Sequence, residues 1–306
     1  MTVRELAIIG AGPAGLTAAI YGRRAGLDVI LLEKGMPGGQ ILITDEVENW
    51  PGVKHATGQE LAYLLRDHAM VFEPEFFKAQ ARNITREGEF WKVHTSEGHV
   101  TAKAVIIASG AFFKRLGCPG ETKLTGAGVS YCAVCDGAFF EDAEVAVIGG
   151  GNTAVEEAVY LTRFASKVHI VHRRDQFRAD RMASNRALKN PKIVPVWDSV
   201  VESIEGDGAV DHLVLKNVKT GVLSKLKVAG VFIFVGIAPH VEYLGDLVES
   251  KPGGWIVTNE RMETSQLGIF AAGDVRDTSL RQMITAAGDG ARAAMAAYQY
   301  ITGHFG

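Results

Sequence analysis

The chain is poor in cysteine. Three among 306 residues are too few, and too odd in number, for a secreted disulfide framework. It has no long apolar run. The most apolar stretch, Val228 to Ala238, is too short to span a bilayer and is interrupted by Gly230 and Gly236. It has no excess of positive charge: 32 Lys and Arg against 35 Asp and Glu give a net charge of −3. That balance removes the electrostatic case for a nucleic acid or an anionic membrane surface as partner. No cationic segment followed by an apolar one precedes the first apolar strand, Leu6 to Ile9, so no signal peptide is expected and a cytoplasmic setting is.

The composition that remains is that of a globular protein with a substantial core, 47% hydrophobic and 22% charged, long enough for one large or two ordinary domains. Glycine is abundant, at 35 residues, but follows no repeat, which points to tight turns and close backbone approaches.

Some of those glycines form a recognisable pattern. Leu6 to Ile9 runs into Gly10-Ala11-Gly12-Pro13-Ala14-Gly15, then a helix expected over Pro13 to Ala25 with Gly26 as its stop, then the apolar strand Val29 to Leu32 ending at Glu33. This is a complete βαβ dinucleotide fingerprint. The glycines permit the tight turn and the close approach of a pyrophosphate to the helix N-terminus, and an acid at Glu33 can accept hydrogen bonds from a ribose. Further on, Gln59 to Phe72 reads as an amphipathic helix, Phe90 to Thr95 with His99 to Lys103 as a hairpin, and Ala104 to Ala108 as another buried strand.

The pattern recurs. Val145 to Ile148 leads into Gly149-Gly150-Gly151-Asn152-Thr153-Ala154, a helix expected over Asn152 to Phe164 and the strand Val168 to Val171. Matching Gly10 to Gly149 places Gly12 on Gly151, Gly15 on Ala154 and Glu33 on His172. The ribose acid is thus replaced by His172-Arg173-Arg174, with Arg178 one turn on. Guanidinium forks pair with phosphate oxygens, which points to NADPH, whereas an acid at that position suits a free 2′-hydroxyl. A solvated basic surface is the plainer alternative. One site with a ribose acid and one with a phosphate clamp suggest FAD plus NADPH. In the tail, Ile269 to Ala272 ends at Gly273-Asp274, where the acid can hydrogen-bond ribityl hydroxyls. Arg281-Gln282 then opens a helix of small residues through Ala297. The expected architecture is therefore α/β, two Rossmann-like dinucleotide-binding domains. An FAD domain (1–113 and 240–306) is interrupted by an NADPH domain (114–239).

Between the two fingerprints lies Cys132-Ala133-Val134-Cys135-Asp136. Three readings compete for the pair. Zinc needs four ligands, yet there is no second Cys pair and no histidine between His99 and His169. A thioredoxin-like domain fits poorly just upstream of a nucleotide-binding unit. The third is a redox-active dithiol served by a flavin, since this spacing provides both an attacking and a resolving thiol. Asp136 reads as an acid or base beside the pair, or as a turn or cap residue. Cys118 has no partner at useful spacing and reads as a structural or incidental thiol.

Taken together these motifs, with Gly38-Gly39-Gln40 and Glu48-Asn49-Trp50-Pro51-Gly52, closely resemble the low-molecular-weight thioredoxin reductases over essentially the whole chain. The resemblance implies a homodimer in which electrons pass from NADPH through FAD and the Cys132–Cys135 pair to oxidised thioredoxin, with a large rotation between the domains. It implies Cys135 as the flavin-facing thiol, Cys132 as the thiol that attacks thioredoxin, and Asp136 as acid/base. The implied FAD set is Gly10, Gly12, Pro13, Ala14, Gly15, Glu33, Lys34, Gly39, Gln40, Asn49, Gly110, Gly273, Asp274, Arg281, Gln282 and Met283. The implied NADPH set is Gly149, Gly151, Asn152, Thr153, His172, Arg173, Arg174 and Arg178, and no metal is implied. Two places depart from the family's pattern: Ala127 stands where an arginine is common, and Ala138 precedes Phe139 and Phe140. Both bear on partner docking and neither on cofactor chemistry. The alternatives are a flavin-dependent reductase of another thioredoxin-like or peroxiredoxin partner, and a flavin-bound redox sensor.

Overall fold

The computed structural model describes residues 3–44 and 47–303, folded into two compact units, 1–112 with 238–306, and 113–237. Among the described residues no helix is long and apolar enough to cross a membrane.

The first unit is built on the strand β1 (Arg4–Ile9). Its side chains alternate between two cores: Leu6 and Ile8 join one cluster, Ala7 and Ile9 the other. A strand covered on both faces has to be apolar throughout, which is why it reads as a continuous hydrophobic run. Helix α1 (Pro13–Arg24) follows, with Pro13 in its first turn and Gly26 beyond its end at φ +84°. Then come β2 (Val29–Glu33), helix α2 (Gly58–Met70), β3 (Glu75–Lys78), β4 (Ala81–Glu87), β5 (Phe90–Thr95) and β6 (Gly98–Ile107). The sheet order is β3-β2-β1-β6-β5-β4. The expected hairpin strand and the buried strand after it are one strand, β6. Its first half pairs antiparallel with β5, while its second half lies parallel to β1 and to β19 (Ile269–Ala271).

The chain then runs through β7 (Ala111–Phe113) into the second unit. There β8 (Val129–Ser130), the short helix α3 (Ala133–Asp136), β9 (Glu144–Ile148), α4 (Asn152–Leu161), β10 (Lys167–Val171), α5 (Arg181–Lys189) and β11 (Ile193–Val196) follow in order. A three-stranded antiparallel sheet comes next, β12 (Ser199–Glu205), β13 (His212–Asn217) and β14 (Leu223–Lys227), then β15 (Gly230–Ile233), and β16 (Ile237–Pro239) leads out of the unit. The parallel sheet has the order β11-β10-β9-β15-β8. Helix α4 stops at Leu161, short of the expected Phe164, as the Thr162, Arg163 and Phe164 amides bond three residues back, to Val159, Tyr160 and Leu161, and tighten the last turn. Back in the first unit, β17 (Ser250–Lys251) and β18 (Trp255–Ile256) precede β19, and the long helix α6 (Met283–Thr302) closes the chain.

The repeat holds at the level of single hydrogen bonds. The Gly10 amide donates to the Leu32 carbonyl at 2.8 Å and the Gly149 amide to that of Val171 at 3.1 Å; Leu16 donates to Gly12 at 2.9 Å and Val155 to Gly151 at 3.1 Å. In the first unit α6 lies against α1 through a run of buried alanines, among them Ala293, Ala294 and Ala297. Gly290 is the tightest point of that crossing, since a Cβ there would stand 2.1 Å from the Ala14 carbonyl oxygen, while Gly288, two residues away, faces open space. Gly290→Ala is therefore expected to lower stability by about 1–3 kcal/mol, as overpacking does. Gly288→Ala should raise it by about 0.5–1 kcal/mol, the helical preference of alanine over glycine. Denaturant unfolding of the two variants reads the opposite signs directly.

Candidate functional site

In the first unit the glycine loop and the N-terminus of α1 collect three further segments. A Cβ at Gly10 would stand 2.4 Å from the Ala108 carbonyl oxygen, and one at Gly15 only 1.8 Å from that of Gly10, so the helix start is pressed against the loop with backbone alone. Glu33, at the end of β2, folds back over this loop: its carboxylate accepts from the Ala11 amide and from the Gly35 amide, both at 2.9 Å. The Gly38 amide donates to the Ala11 carbonyl at 2.8 Å, which lays Gly39 against Gly12. Gly273, at φ +76°, packs on Ala14 from the other side. Lys34 is exposed one residue past Glu33, and Gly110 continues β6 at φ +67°, its carbonyl accepting from His240 N.

The remaining residues of the expected FAD set form a second group in the same unit. The Asn49 side-chain amide donates to the Gln282 side-chain carbonyl at 3.2 Å, and Gln282 caps α6. Ile41 beside Gln40, Trp50 beside Asn49 and Met283 share one apolar cluster. Arg281 lies 4.0 Å over the centre of the Trp255 ring, and its Nε is buried with no hydrogen-bond acceptor. Asp274 is largely buried, and burial pushes its carboxyl up to about 6 against the opposing pull of Arg281. A buried carboxylate and a buried, unpartnered guanidinium N–H beside a helix N-terminus form the donor and acceptor set that a hydroxylated, phosphate-bearing cofactor would satisfy.

In the second unit the corresponding loop carries different chemistry. The His172 imidazole covers the loop so closely that a Cβ at Gly150 would stand 2.4 Å from its Nδ1. The Arg178 amide donates to the Gly150 carbonyl at 2.6 Å, and the Asp180 amide to the Asn152 side chain at 2.8 Å. The basic segment is thereby folded back onto the glycine loop and the start of α4, where Gly151 caps the helix and Thr153 is exposed. Burial first, then Arg174, Arg173 and Arg178, lower His172 from its ordinary value. Three guanidinium groups lie close enough to act on one imidazole, all three exposed and none in an ion pair among the described residues, which is chemistry that could meet an anion.

Also in the second unit, Cys132 and Cys135 form a disulfide with Cα atoms 5.3 Å apart. Cys132 caps α3, and its sulfur accepts from the Cys135 amide at 3.2 Å. Ala133 is buried in the core of the unit, while Val134 between the cysteines and Ala138 and Phe139 beyond them are exposed. The Asp136 carboxylate accepts from the Ser130 hydroxyl at 2.5 Å. The loop before the pair is pinned by buried Glu121, which accepts from the Leu116 and Gly117 amides and from the Tyr131 hydroxyl at 3.0, 2.7 and 2.7 Å. Cys118 lies in that loop, its thiol pushed up to about 11 by burial and by Glu121.

A model of the pyridine nucleotide-disulphide oxidoreductase family matches residues 4–290. The chain belongs to that family. Its relatives there are thioredoxin reductases. That of Bacillus subtilis (strain 168) is 47% identical over 300 residues, which is 98% of this chain and 95% of the relative. The crystal structure of thioredoxin reductase from Streptococcus pyogenes MGAS5005 superposes with a TM-score of 0.96 at 46% identity, covering 99% of both chains. The thioredoxin reductase of Giardia duodenalis superposes with 0.93 at 36% identity, covering 98% of this chain and 99% of its own. Within the pyridine nucleotide-disulphide oxidoreductases, this chain is a member of the low-molecular-weight thioredoxin reductase group.

Sequence motifs did not reveal what supports the site of this oxidoreductase. Asp289 of α6 is buried, accepts from the Gly273 amide at 3.2 Å and from Arg276 at 2.5 Å, and pairs with Arg292 at 2.9 Å. It fixes the turn that presents Asp274. The available signal was a lone acid between Gly288 and Gly290 in a helix of small residues. Asp289→Ala leaves Arg276 as a buried charge without its partner and should cost about 3–5 kcal/mol. Asp289→Asn keeps an acceptor for the Gly273 amide and should cost less. Thermal unfolding of both variants, with flavin content measured alongside, checks the order.

Proposed function

We propose that the chain is an NADPH-dependent thioredoxin-disulfide reductase of the cytoplasm, acting as a homodimer on oxidised thioredoxin through FAD and the Cys132–Cys135 pair. The observation that carries this reading is one chain holding two glycine-loop units of opposite electrostatics and, in the second of them, a closed disulfide with a carboxylate beside it.

The two nucleotides divide between the loops by charge. Glu33 at the first loop accepts hydrogen bonds and would repel a 2′-phosphate, so this unit takes FAD. Its pyrophosphate would lie at Gly10, Gly12, Pro13, Ala14 and Gly15, with Lys34, Gly39, Gln40, Asn49, Gly110, Asp274, Arg281, Gln282 and Met283 along the rest of its length. The three arginines at the second loop suit the 2′-phosphate of NADPH, with Gly149, Gly151, Asn152 and Thr153 receiving its pyrophosphate. FAD, when bound, supplies the means to accept a hydride and pass two electrons to a disulfide. The chain's own residues do the rest. Cys135 receives the electrons, Cys132 attacks the thioredoxin disulfide, and Asp136 gives and takes the proton beside them.

Cys135→Ser should retain flavin and still oxidise NADPH in a single turnover while losing disulfide reduction. Full turnover of thioredoxin by that variant would remove the dithiol from the mechanism. Arg173→Ala combined with Arg174→Ala should raise KM for NADPH by roughly 10- to 100-fold, the worth of one or two charge-assisted contacts, and leave KM for NADH nearly unchanged. Equal effects on the two cofactors would argue against the phosphate clamp.

A further inference from the structure

Ser130 lies outside the Cys-x-x-Cys-Asp motif, yet its buried hydroxyl is the joint between the two ends of that motif. Strand β8 places it: Ser130 pairs with Phe232 of β15, so its backbone is fixed by the sheet and not by the helix that carries Cys135. The Cys132 amide donates to Ser130 Oγ at 3.0 Å. The hydroxyl has one hydrogen to give and two acceptors within reach, Asp136 Oδ2 at 2.5 Å and the Cys132 carbonyl at 3.3 Å. The shorter, charge-assisted contact takes it while Asp136 is ionised. When Asp136 is protonated its own O–H donates to Ser130 Oγ, and the serine hydrogen turns to the Cys132 carbonyl. The same three atoms thus serve both protonation states of the acid without moving the backbone.

We infer that Ser130 is a positioning residue for the exchange reaction, holding Asp136 against Cys132 and favouring its ionised form. The inference rests on the acid/base role proposed above for Asp136. In the exchange the Cys132 thiolate attacks one sulfur of the partner disulfide. That S–S bond breaks, a mixed disulfide forms and the first partner thiolate leaves. Cys135 then attacks Cys132 Sγ, re-forming the Cys132–Cys135 bond and expelling the second partner thiolate. Both electrons end on the partner's dithiol; the Cys135 proton goes to its first departing sulfur, and its second sulfur takes from solvent a proton equal to the one Cys132 released on ionising. Asp136 relays a proton from Cys135 to a departing sulfur, and it can do so over a range of pH that the Ser130 hydrogen bond fixes. Other ionisable groups surround the helix. α3 packs on α4, which carries Glu156, Glu157 and Tyr160, and on the turn Gly137–Phe140, which carries none; from the strand side comes Tyr131, whose hydroxyl is held by Glu121. All of these are present in every variant below, so a difference between variants belongs to residue 130.

The test is the pH profile of single-turnover oxidation of the prereduced holoenzyme by dithiobis(nitrobenzoate), a small disulfide that needs no docking surface. Asp136→Asn identifies the limb of the profile that belongs to the carboxyl by abolishing it. Ser130→Ala should move that limb to higher pH by about one to two units, the loss of one hydrogen bond to a charged acceptor. Ser130→Thr should restore the wild-type position. Ser130→Val has the shape of the threonine variant without its hydroxyl and should also shift the limb upward, so a poorly folded alanine variant does not leave the matter open. A limb present in the wild type, absent in Asp136→Asn and unmoved in both Ser130→Ala and Ser130→Val would overturn the role of Ser130 and leave that of Asp136 standing. A limb that survives Asp136→Asn would overturn both. A rate lowered equally at every pH is what a merely structural serine would give, and it too would overturn the inference.

Discussion

A peptide carbonyl stands where the side chain of residue 15 would be. The first turn of α1 is held so close to the oxygen of Gly10 that only a hydrogen fits between, and Gly10 itself is closed off by the Ala108 carbonyl at the end of β6. That crowding aims the free amides at the start of α1 at one point, just beyond the ends of β1 and β6, and every other feature of the first unit is arranged around it. Glu33 braces the loop from β2, the segment through Gly38 and Gly39 is tied to it by a backbone bond, and Gly273 packs on it at Ala14. The second unit meets the same constraint with a slightly looser solution. Ala154 replaces Gly15, and Gly149, at φ +145°, has to remain without a side chain, since a Cβ there would stand 2.5 Å from the Phe234 carbonyl oxygen and 2.8 Å from the Ala154 Cβ.

Upon this shared geometry the two units place opposite charge. The carboxylate of Glu33 and the imidazole of His172 occupy equivalent ends of equivalent strands, and each lies over the loop of its own unit. One offers acceptors. The other is disfavoured as a cation by burial and by the three arginines beside it. Like charges kept close together are costly in one another's company, and an anion would relieve that cost. The dithiol lies in this second unit, tied to its sheet through Ser130 and to its helix layer through Ala133 and Gly137, where a Cβ would meet Leu161 and Phe164.

The two βαβ units are legible in the sequence because each is local. A run of buried strand residues, a glycine triplet and a helix follow one another within some thirty positions, and the register Leu6 with Val29 and Val145 with Val168 repeats accordingly. The charge switch between Glu33 and His172 is legible for the same reason, once the repeats are superposed. What the motifs could not reveal depends on residues far apart or on geometry. Asp289 reaches Gly273 across the turn between β19 and α6, and nothing in either position alone announces the other. Ser130 is an ordinary serine until the sheet and α3 bring it to Asp136. The strands β12 to β14 carry a period of two, with Leu213 and Leu215 inward, but lysines such as Lys216, Lys225 and Lys227 dilute it to a weak signal. β6 read as two strands because it changes partners half-way, which alters its burial pattern but not its backbone.

The second unit interrupts the first, and its two ends are tied to each other: the Lys114 amide donates to the Gly236 carbonyl at 2.8 Å. The severed edges of the first unit are tied likewise, His240 N to Gly110 O at 3.0 Å. To a first unit still assembling, an unfolded insert is a flexible loop of well over a hundred residues, whose closure costs roughly 4 kcal/mol beyond a constant term. A folded insert is a loop of almost no length. The order of events during synthesis follows from this. β1 to β6 emerge first but lack β19 and α6, the insert emerges next with all of its own strands, and once it has folded the gap that α6 must bridge is drawn shut.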